Sequence, residues 1–452
     1  MSLSVIILAA GQGTRMCSSL PKVLHPLAGK SLLEHVVLTA QRLNARQIHI
    51  VYGYGGNAVP TQLKHINVHW VEQAEQLGTG HAVAQAMPFV ASGDKVLILY
   101  GDVPLISADT LQRLLAVADN AVGLLTMHQN DATGYGRILR NSQNQVLRII
   151  EEKDASTAER QVTEINTGIL AVDAERLRTW VTALQTDNAQ GEFYLTDIIA
   201  MAARDNVAIN TVAPASTIEA IGVNNKAQLA ELERHYQRAQ AHQLMIRGVT
   251  LSDPARFDLR GELITGSDVF IDANVIFEGK VTLGNRVRIG PNVWIRNARI
   301  GDDVEIHANC VIEDSAIEAG CRIGPFARIR PETRLAENVH IGNFVEVKKS
   351  VIGAGSKINH LSYVGDTTVG KNVNIGAGTI TCNYDGVNKH RTIIGDDVFV
   401  GSDTQLVAPV EIGSGATIGA GSTITSNAPA DKLTLTRVKQ QTLDDWERPK
   451  KK

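Results

Sequence analysis

The sequence predicts a Rossmann-like α/β domain with a mostly parallel sheet, then a linker helix, then a left-handed parallel β-helix of hexapeptide repeats. Three observations lead to this prediction. Strand and helix patterns alternate through the first half of the chain, a helical segment follows them, and aliphatic residues recur six apart in the second half. We therefore expect domains at residues 1–225 and 249–452, joined by a helix at 226–248.

The first half opens with a continuous apolar run at residues 5–10, which is typical of a buried central strand. Similar runs at 48–52 and 96–100 predict further buried strands. Helical patterns such as those at 32–43 and 110–118 lie between the strands. This alternation favours an open, mostly parallel sheet, which binds ligands at the carboxyl ends of its strands.

The second half is built on steps of six residues. A period of six is the fundamental repeat of neither a helix nor a strand. It suits a coil of short strands and tight corners, in which stacked coils bury one aliphatic column per side. The alternative, short sandwich strands with chance spacing, is disfavoured by the number of repeats. Two of the runs are Ile317, Ile323, Ile329, Leu335, Ile341, Val347 and Ile394, Val400, Leu406, Ile412, Ile418, Ile424.

Two kinds of irregularity interrupt these runs. Some steps fall to five residues, as from Ile295 to Ile300 and from Val347 to Ile352, and we interpret them as corners. A longer break covers residues 381–391, which are mostly polar. The buried column has no room for such an insertion, so we expect a protruding loop that binds ligand, with a passive surface loop as the alternative.

Composition narrows the class of protein. The chain has 452 residues, 44% hydrophobic and 20% charged residues, and a formal charge of -3, which argues against a general role on nucleic acid or membrane surfaces. Its four cysteines form no CxxC pair, no signal sequence opens the chain, and no apolar run reaches the roughly 18 residues of a membrane span. We expect a reduced, cytoplasmic setting.

Three motifs, two at predicted strand ends and one opening a predicted helix, point to phosphate chemistry. The turn at 11–15, Gly-Gln-Gly-Thr-Arg, lets the backbone approach a phosphate chain, with Arg15 and Lys22 as cations. It is not a dinucleotide fingerprint, because Met16 stands where glycine is needed, and it is not a P-loop. A second Gly-rich turn lies at 76–82. Asp102 follows a buried strand and is either a helix cap or a ligand for Mg2+, which takes one or two carboxylates together with substrate phosphates.

Together these motifs resemble the sugar-1-phosphate nucleotidyltransferases. The string at 376–386, Gly-Ala-Gly-Thr-Ile-Thr-Cys-Asn-Tyr-Asp-Gly, extends the resemblance over essentially the whole chain. The chain is similar to the bacterial family in which an N-acetylglucosamine-1-phosphate uridyltransferase is fused to a glucosamine-1-phosphate acetyltransferase. The resemblance implies acetyl transfer from acetyl-CoA to glucosamine-1-phosphate, followed by Mg2+-dependent uridylyl transfer from UTP, as a supply for peptidoglycan and lipopolysaccharide. It also implies a homotrimer held by the β-helix.

In the first domain the resemblance implies a UDP-sugar site with Arg15 and Lys22 as catalytic cations. Gln73, Gly78 and Thr79 would read uracil, and Asp102 and Asn224 would hold Mg2+. The implied binding residues are Leu8, Ala9, Ala10, Gly11, Lys22, Gln73, Gly78, Thr79, Tyr100, Gly101, Asp102, Gly136, Glu151, Asn166 and Asn224.

In the second domain the resemblance makes His360 the general base. Histidine suits this role near neutral pH, and His360 lies two positions after an aliphatic repeat residue, so it should point away from the column. The implied acceptor residues are Arg330, Lys348, Tyr363 and Asn374. The implied acetyl-CoA residues are Ala377, Asn383, Tyr384, Ser402, Ala420 and Arg437.

Two other functions remain open at this stage. One is a single-activity sugar-1-phosphate nucleotidyltransferase whose β-helix serves only as an oligomerisation arm, which would not need His360 beside the loop at 381–391. The other is a non-enzymatic nucleotide-sugar sensor, which would not need Arg15, Lys22 and Asp102 together.

Overall fold

The computed structural model describes residues 2–451. These form two compact units that divide between Tyr236 and Gln237. The dividing point lies inside the helix Lys226–Ile246, in the segment that the sequence predicts as a linker helix.

The first unit contains a mixed sheet surrounded by helices. Its strands are β1 Leu3–Leu8, β2 Pro26–Leu27, β3 Lys30–Ser31, β4 Gln47–Tyr52, β5 His69–Glu72, β6 Lys95–Tyr100, β7 Val122–His128, β8 Arg137–Arg140, β9 Val146–Ile150, β10 Glu164–Asp173 and β11 Ile209–Val212. Its helices are α1 Leu32–Gln41, α2 Ala58–Gln62, α3 Thr79–Ala86, α4 Ala108–Val117, α5 Ala174–Thr182 and α6 Asp197–Arg204, and α7 is the dividing helix.

The central sheet has the strand order β11-β7-β10-β6-β1-β4-β5. Strand β1 pairs parallel with β4 and β6, as predicted. Strand β10 runs antiparallel to both β6 and β7, and it also pairs with the β8–β9 hairpin. The Rossmann-like, mostly parallel fold is confirmed, with one antiparallel strand, β10, in the seven-strand order and the antiparallel β8–β9 hairpin beside it, neither of which the sequence pattern distinguishes.

Two apolar clusters cover the two faces of this sheet. In β1, Val5 and Ile7 belong to one cluster, while Ile6 and Leu8 belong to the other. Successive side chains of a strand point to opposite faces, so a strand that is buried on both faces must be apolar throughout. This is why the run at 5–10 shows no alternation.

The second unit is a parallel β-helix, and this part of the predicted fold is also confirmed. One sheet contains the strands Thr250–Leu251, Phe270–Ile271, Arg288–Ile289, Glu305–Ile306, Arg322–Ile323, His340–Asn343, Lys357–His360, Asn374–Ile375, Phe399–Val400, Thr417–Ile418 and Leu433–Thr434. The other sheet contains Phe257–Thr265, Val275–Leu283, Trp294–Arg296, Arg299–Ile300, Val311–Glu313, Ala316–Ile317, Arg328–Ile329, Arg334–Leu335, Glu346–Lys348, Val351–Ile352, Tyr363–Gly365, Thr367–Val369, Ile380–Cys382, Thr392–Ile394, Gln405–Val407, Val410–Ile412 and Thr423–Ile424.

Three inward columns form the core of the β-helix, and every member is at most 2% exposed. Column 1 is Ile289, Ile306, Ile323, Ile341, Ile358, Ile375, Val400 and Ile418. Column 2 is Ile295, Ile312, Ile329, Val347, Val364, Thr381, Leu406 and Ile424. Column 3 is Ile300, Ile317, Leu335, Ile352, Val369, Ile394 and Ile412.

The five-residue steps all fall at one corner, between columns 2 and 3. The break at 381–391 falls at the same corner, because Thr381 is a column 2 residue and Ile394 is a column 3 residue. The loop carries exposed side chains, among them Tyr384 and Val387. An insertion at a corner leaves the inward columns in register.

Among residues 2–451, no helix is long and apolar enough to cross a membrane. Cys17, Cys310, Cys321 and Cys382 all have free thiols.

Removal of a column residue tests how far the β-helix depends on its core. Ile323→Ala should lower the free energy of unfolding by about 2–5 kcal/mol, because it leaves a cavity in a close-packed column. Ile393→Ala, at a side chain that is 43% exposed, is the matched control and should change it by less than about 1 kcal/mol. Chemical unfolding followed by circular dichroism measures both variants, and equal losses would contradict the inward columns.

Candidate active sites

A cavity of about 550 Å3 opens at the carboxyl ends of β1 and β6. Ten of the predicted UDP-sugar residues line it: Leu8, Ala9, Ala10, Gly11, Lys22, Gln73, Gly78, Thr79, Tyr100 and Asp102. Gly101 lies behind them and donates its backbone N–H to the Leu8 carbonyl at 2.9 Å. The sequence did not identify five further lining residues: Gln12, Val23, Gln76, Ala82 and Glu192.

Lys22 reaches the cavity because the preceding turn has glycine at position 13. Gly13 has a φ of +61°, and a Cβ placed on it would lie 2.6 Å from the Lys22 Cβ. A larger residue would therefore be strained and would also displace the lysine stem. The second glycine of the Gly-x-Gly turn thus positions a cation.

The Lys22 ammonium joins two residues that lie far apart in the sequence. It donates to the Asp102 carboxylate and lies 3.5 Å from the Asn224 Oδ1. Arg15 donates to the same Asn224 oxygen at 2.9 Å. Arg15 and Asn224 are not part of the cavity lining, but this network connects both of them to it.

Gly136, Glu151 and Asn166 form a second group next to the cavity. The Asn166 backbone N–H donates to the Gly136 carbonyl at 2.9 Å. A side chain at position 136 would be crowded, since a Cβ would lie 2.9 Å from the Ile149 Cγ2, and it would also lie 3.4 Å from the Glu151 Oε2. The Thr196 hydroxyl, which the sequence did not identify, donates to the Glu151 Oε1 at 2.9 Å.

Burial raises the pKa of the Glu151 carboxyl, and the negative charge of Asp197 raises it further, while the bond from Thr196 lowers it. Burial also raises the pKa of the Tyr100 hydroxyl, with the charges of Glu151 and Asp102 adding to the effect. Tyr100 therefore feels the charge of both the Asp102 network and the Glu151 group. It stays neutral at physiological pH and remains a hydrogen-bond donor.

In the β-helix, His360 lies in a corner column, defined here as the residues two positions after column 1. The strand pairing aligns Asn343 with His360, and the register continues through Ala377, Ser402 and Ala420. The predicted base and three predicted acetyl-CoA residues therefore share one edge of the prism. In the next three coils the corner column has small residues, Ala377, Ser402 and Ala420, so this edge of the prism leaves space beside His360.

The orientation of His360 is fixed by the residue one coil earlier. The Asn343 Oδ1 lies 2.8 Å from the His360 Nδ1. With Nδ1–H as the donor to this oxygen, Nε2 is left as the unprotonated nitrogen. Asn343 is not among the predicted site residues, although it could have been predicted, because it lies one coil, or 17 residues, before His360.

The predicted acceptor cations lie on the column 2 face. Arg330 donates to the Glu346 Oε1 at 2.7 Å. Lys348 aligns with Gly365, where a Cβ would lie 2.4 Å from the Tyr363 hydroxyl oxygen. Because Gly365 has no side chain, the Tyr363 ring can lie over the backbone of Gly365, the residue that pairs with Lys348.

Lys389 is a further cation at this place that the sequence did not identify. Its ammonium contacts that of Lys348, which lowers the pKa of Lys348, and burial together with the positive charges of Lys389 and Arg330 lowers that pKa further. Asp366 provides a partly compensating negative charge. The group is therefore suited to bind an anion.

The loop at 381–391 is held in shape by a bond to Asp366, by a backbone bridge and by a pair of its own side chains. Asn383 donates to the Asp366 Oδ2 at 2.5 Å, and Tyr384 pairs with Lys389 across the loop. His390 lies 2.7 Å from Asp385, and this bond lowers the pKa of the Asp385 carboxyl.

Two predicted residues are less well connected. Within the described residues, no hydrogen bond links Asn374 or Arg437 to the other predicted site residues. Asn374 lies on the column 1 strand of the same coil as Ala377. The Arg437 side chain approaches Gly419, next to Ala420.

The fold and the two sites define a two-site transferase with a nucleotide-binding α/β unit and a hexapeptide β-helix. Residues 5–186 match the family model of the MobA-like NTP transferase domain. Residues 259–340 and 320–408 match the GMPPB C-terminal domain, and residues 391–426 match the bacterial transferase hexapeptide (six repeats).

Three curated relatives are similar over their whole length, and each is named bifunctional protein GlmU. The protein of Marinobacter nauticus is 58% identical over 99% of this chain and 99% of its own. That of Methylococcus capsulatus is 58% identical over 100% and 98%, and that of Azoarcus sp. 58% over 99% and 100%. A solved UDP-glucose pyrophosphorylase complexed with UDP-glucose, at 15% identity and a TM-score of 0.45, covers 53% of this chain and 100% of its own and carries no functional argument.

The chain belongs to the family of bifunctional GlmU proteins. The predicted bifunctional enzyme, with a uridyltransferase and an acetyltransferase role, is confirmed. Its substrates are small molecules, a nucleotide and an acyl-CoA among them. The single-activity and non-enzymatic alternatives are set aside.

The Asn343–His360 contact can be tested on acetyl transfer. Asn343→Leu should lower its kcat by about tenfold or more, because the ring loses the acceptor that fixes its orientation. Asn343→Asp keeps an acceptor and should retain most of the rate, with the acid limb of the pH–rate profile at higher pH, since a carboxylate favours the imidazolium. A normal rate in the leucine variant would contradict this orienting role.

Proposed function

We propose that residues 1–225 catalyse Mg2+-dependent uridylyl transfer from UTP to N-acetylglucosamine-1-phosphate, with release of pyrophosphate. Residues 249–452 acetylate glucosamine-1-phosphate with acetyl-CoA, and the helix at 226–248 joins the two domains. The product, UDP-N-acetylglucosamine, would supply peptidoglycan and lipopolysaccharide synthesis in the cytoplasm. The observation that carries the proposal is that two separate groups, the Lys22–Asp102 ion pair and the hydrogen-bonded Asn343–His360 pair, occur at predicted phosphate and acyl-transfer positions.

In the uridyltransferase, the sugar phosphate oxygen attacks the α-phosphorus of UTP, and the bond to pyrophosphate breaks. Such a reaction depends mainly on positioning and on neutralising negative charge. Lys22 and Arg15 are the cations available for the phosphates. Gln73, Gly78 and Thr79 line the cavity where the base would bind. Gly136, Glu151 and Asn166 would bind the sugar.

The donor set at Asp102 and Asn224 fits Mg2+. One carboxylate and one amide oxygen converge on Lys22, and both are the hard oxygen ligands that Mg2+ prefers. The described residues contain no group of three or more His, Cys, Asp or Glu side chains arranged for a metal, so substrate phosphates would supply the other ligands. When bound, the ion would neutralise phosphate charge. Lys22 would then turn from Asp102 towards the phosphates.

In the acetyltransferase, the amine of glucosamine-1-phosphate attacks the thioester carbonyl carbon of acetyl-CoA. The His360 Nε2 takes the proton of the amine, a C–N bond forms, the C–S bond breaks, and CoA leaves. The small corner-column residues Ala377, Ser402 and Ala420 would let the CoA arm lie along the edge, with Asn383, Tyr384 and Arg437 at its sides. Tyr363 and Asn374 would complete the acceptor site.

The acceptor phosphate would bind between Arg330, Lys348 and Lys389. Charge-assisted bonds to phosphate are strong, and the mutual repulsion of the two lysine ammonium groups is relieved by a dianion. Lys389 thus joins the predicted acceptor residues as a third cation.

We further propose a homotrimer through the β-helix. Phe326, Phe344 and Leu361 are half or more exposed, and the two phenylalanine rings stack with their centroids 5.2 Å apart. Leu361 directly follows His360 in the chain. Exposed apolar side chains in a row favour burial against another chain.

The two-site proposal is tested by one substitution in each domain. Asp102→Asn should reduce Mg2+-dependent pyrophosphate release by about 100-fold or more and leave acetyl transfer near the native rate, because the carboxylate charge is lost at one site only. His360→Ala should do the reverse. Pyrophosphate release from UTP and thiol release from acetyl-CoA measure the two activities in one preparation. Loss of both activities in either folded variant would refute separate sites.

The role of Lys389 is tested on the acceptor. Lys389→Met should raise the KM for glucosamine-1-phosphate by about tenfold with a smaller change in kcat, since it removes a contact made equally before and during the reaction. Lys371→Met, at an exposed lysine of a neighbouring coil, is the control and should leave the KM unchanged. Thiol-release kinetics at varied acceptor concentration distinguish the two variants, and an unchanged KM in Lys389→Met would exclude the contact.

A further inference from the structure

The Gln73 side chain is almost completely buried, with 3% of the residue exposed, yet it lines the nucleotide cavity. Its Nε2 donates to the Gly78 carbonyl at 3.1 Å. A carbonyl oxygen can only accept, so this contact fixes which end of the amide is the nitrogen. The amide oxygen must therefore point the other way.

His81 takes the second hydrogen of the same amide. The Gln73 Nε2 lies 3.0 Å from the His81 Nδ1. Because the amide nitrogen can only donate, Nδ1 must be the unprotonated ring nitrogen of His81. The opposite ring nitrogen, Nε2, then carries the proton, and the Gln85 Nε2 lies 3.0 Å from it, one turn further along α3. Two donors cannot bond each other, so the Gln85 amide must turn its oxygen towards the ring to accept from Nε2–H. The histidine thus has an amide side chain on each side of its ring, and within residues 2–451 its side-chain hydrogen bond to the cavity lining is the one to Gln73.

These contacts leave one free group on the Gln73 amide. Both N–H bonds are used, and Oε1 has no hydrogen bond within residues 2–451. If the amide turned over, Oε1 would face the Gly78 carbonyl oxygen and the lone pair of the His81 Nδ1. Two acceptors would then oppose it, so His81 and Gly78 together keep the amide oxygen directed at the ligand.

A fixed acceptor at this position distinguishes two pyrimidines. Uracil carries N3–H, a donor that matches the Gln73 oxygen, whereas N3 of cytosine is an acceptor and would face the same oxygen unpaired. A site built to bond a donor rejects the analogue that lacks it. We propose that His81 is a positioning residue that selects UTP over CTP by holding the Gln73 amide in one orientation. This inference rests on the proposed uridyltransferase function.

The experiment compares pyrophosphate release by the full-length protein from UTP and from CTP, with N-acetylglucosamine-1-phosphate as the acceptor. His81→Leu keeps similar volume but removes the acceptor for the amide. The ratio of kcat/KM for UTP to that for CTP should fall by about tenfold or more. His81→Asn can offer its side-chain oxygen near the position of Nδ1 and should restore the ratio to within about threefold of the native value.

Acetyl transfer in the same preparations reports whether each variant is folded. If His81→Leu does not fold, His81→Ala gives the same comparison, because it also removes the acceptor. A folded His81→Leu or His81→Ala variant with the native ratio, or with equal losses for both nucleotides, would show a merely structural histidine and overturn the inference. Absence of pyrophosphate release from UTP in the native protein would instead overturn the proposed uridyltransferase itself.

Discussion

The β-helix depends on one constraint, namely that each side of each coil must place a single small-to-medium residue in the interior, and in the three columns this residue is aliphatic at every position except Thr381. Stacking then converts sequence position into spatial position, because residues one coil apart lie next to each other. Asn343 and His360 are neighbours for this reason, although 17 residues separate them. The same rule confines insertions to corners, which is where the loop at 381–391 occurs. The site is therefore a consequence of the core register and needs no separate scaffold.

In the α/β unit, a different constraint brings residues that are distant in the sequence together. Parallel strands end at one edge of the sheet, so residues that follow β1 and β6 meet without any repeat. Lys22 contacts both Asp102 and Asn224, which are 122 positions apart in the sequence. Close opposite charges hold the group together before substrate binds. The Tyr100 hydroxyl is affected by both groups of this site, because the charges of Asp102 and Glu151 each raise its pKa. It therefore stays neutral and connects the Asp102 network to the group that contains Gly136 and Asn166.

Much of this could be predicted from the sequence, since period and composition are local properties. The aliphatic repeat specifies the inward columns, and the apolar run at 5–10 specifies a central strand. The antiparallel direction of β10 could not be predicted, because strand pairing depends on partners that lie elsewhere in the chain. Thr196, His81 and Lys389 were missed for a similar reason. Each acts on a predicted residue through a side-chain contact, and single motifs contain no information on such contacts.

The two proposed phosphate sites differ in the charges that surround them. Around Asp102, each cation already has an oxygen partner, so phosphate binding exchanges one set of contacts for another. Around Lys348, two lysines and Arg330 face Glu346 and Asp366, and the repulsion lowers the pKa of Lys348. An arriving phosphate reverses that effect, because its negative charge favours the ammonium form. In the proposed function, acceptor binding in the β-helix would therefore relieve repulsion between like charges, whereas the α/β site would bind its phosphates by rearranging existing ion pairs.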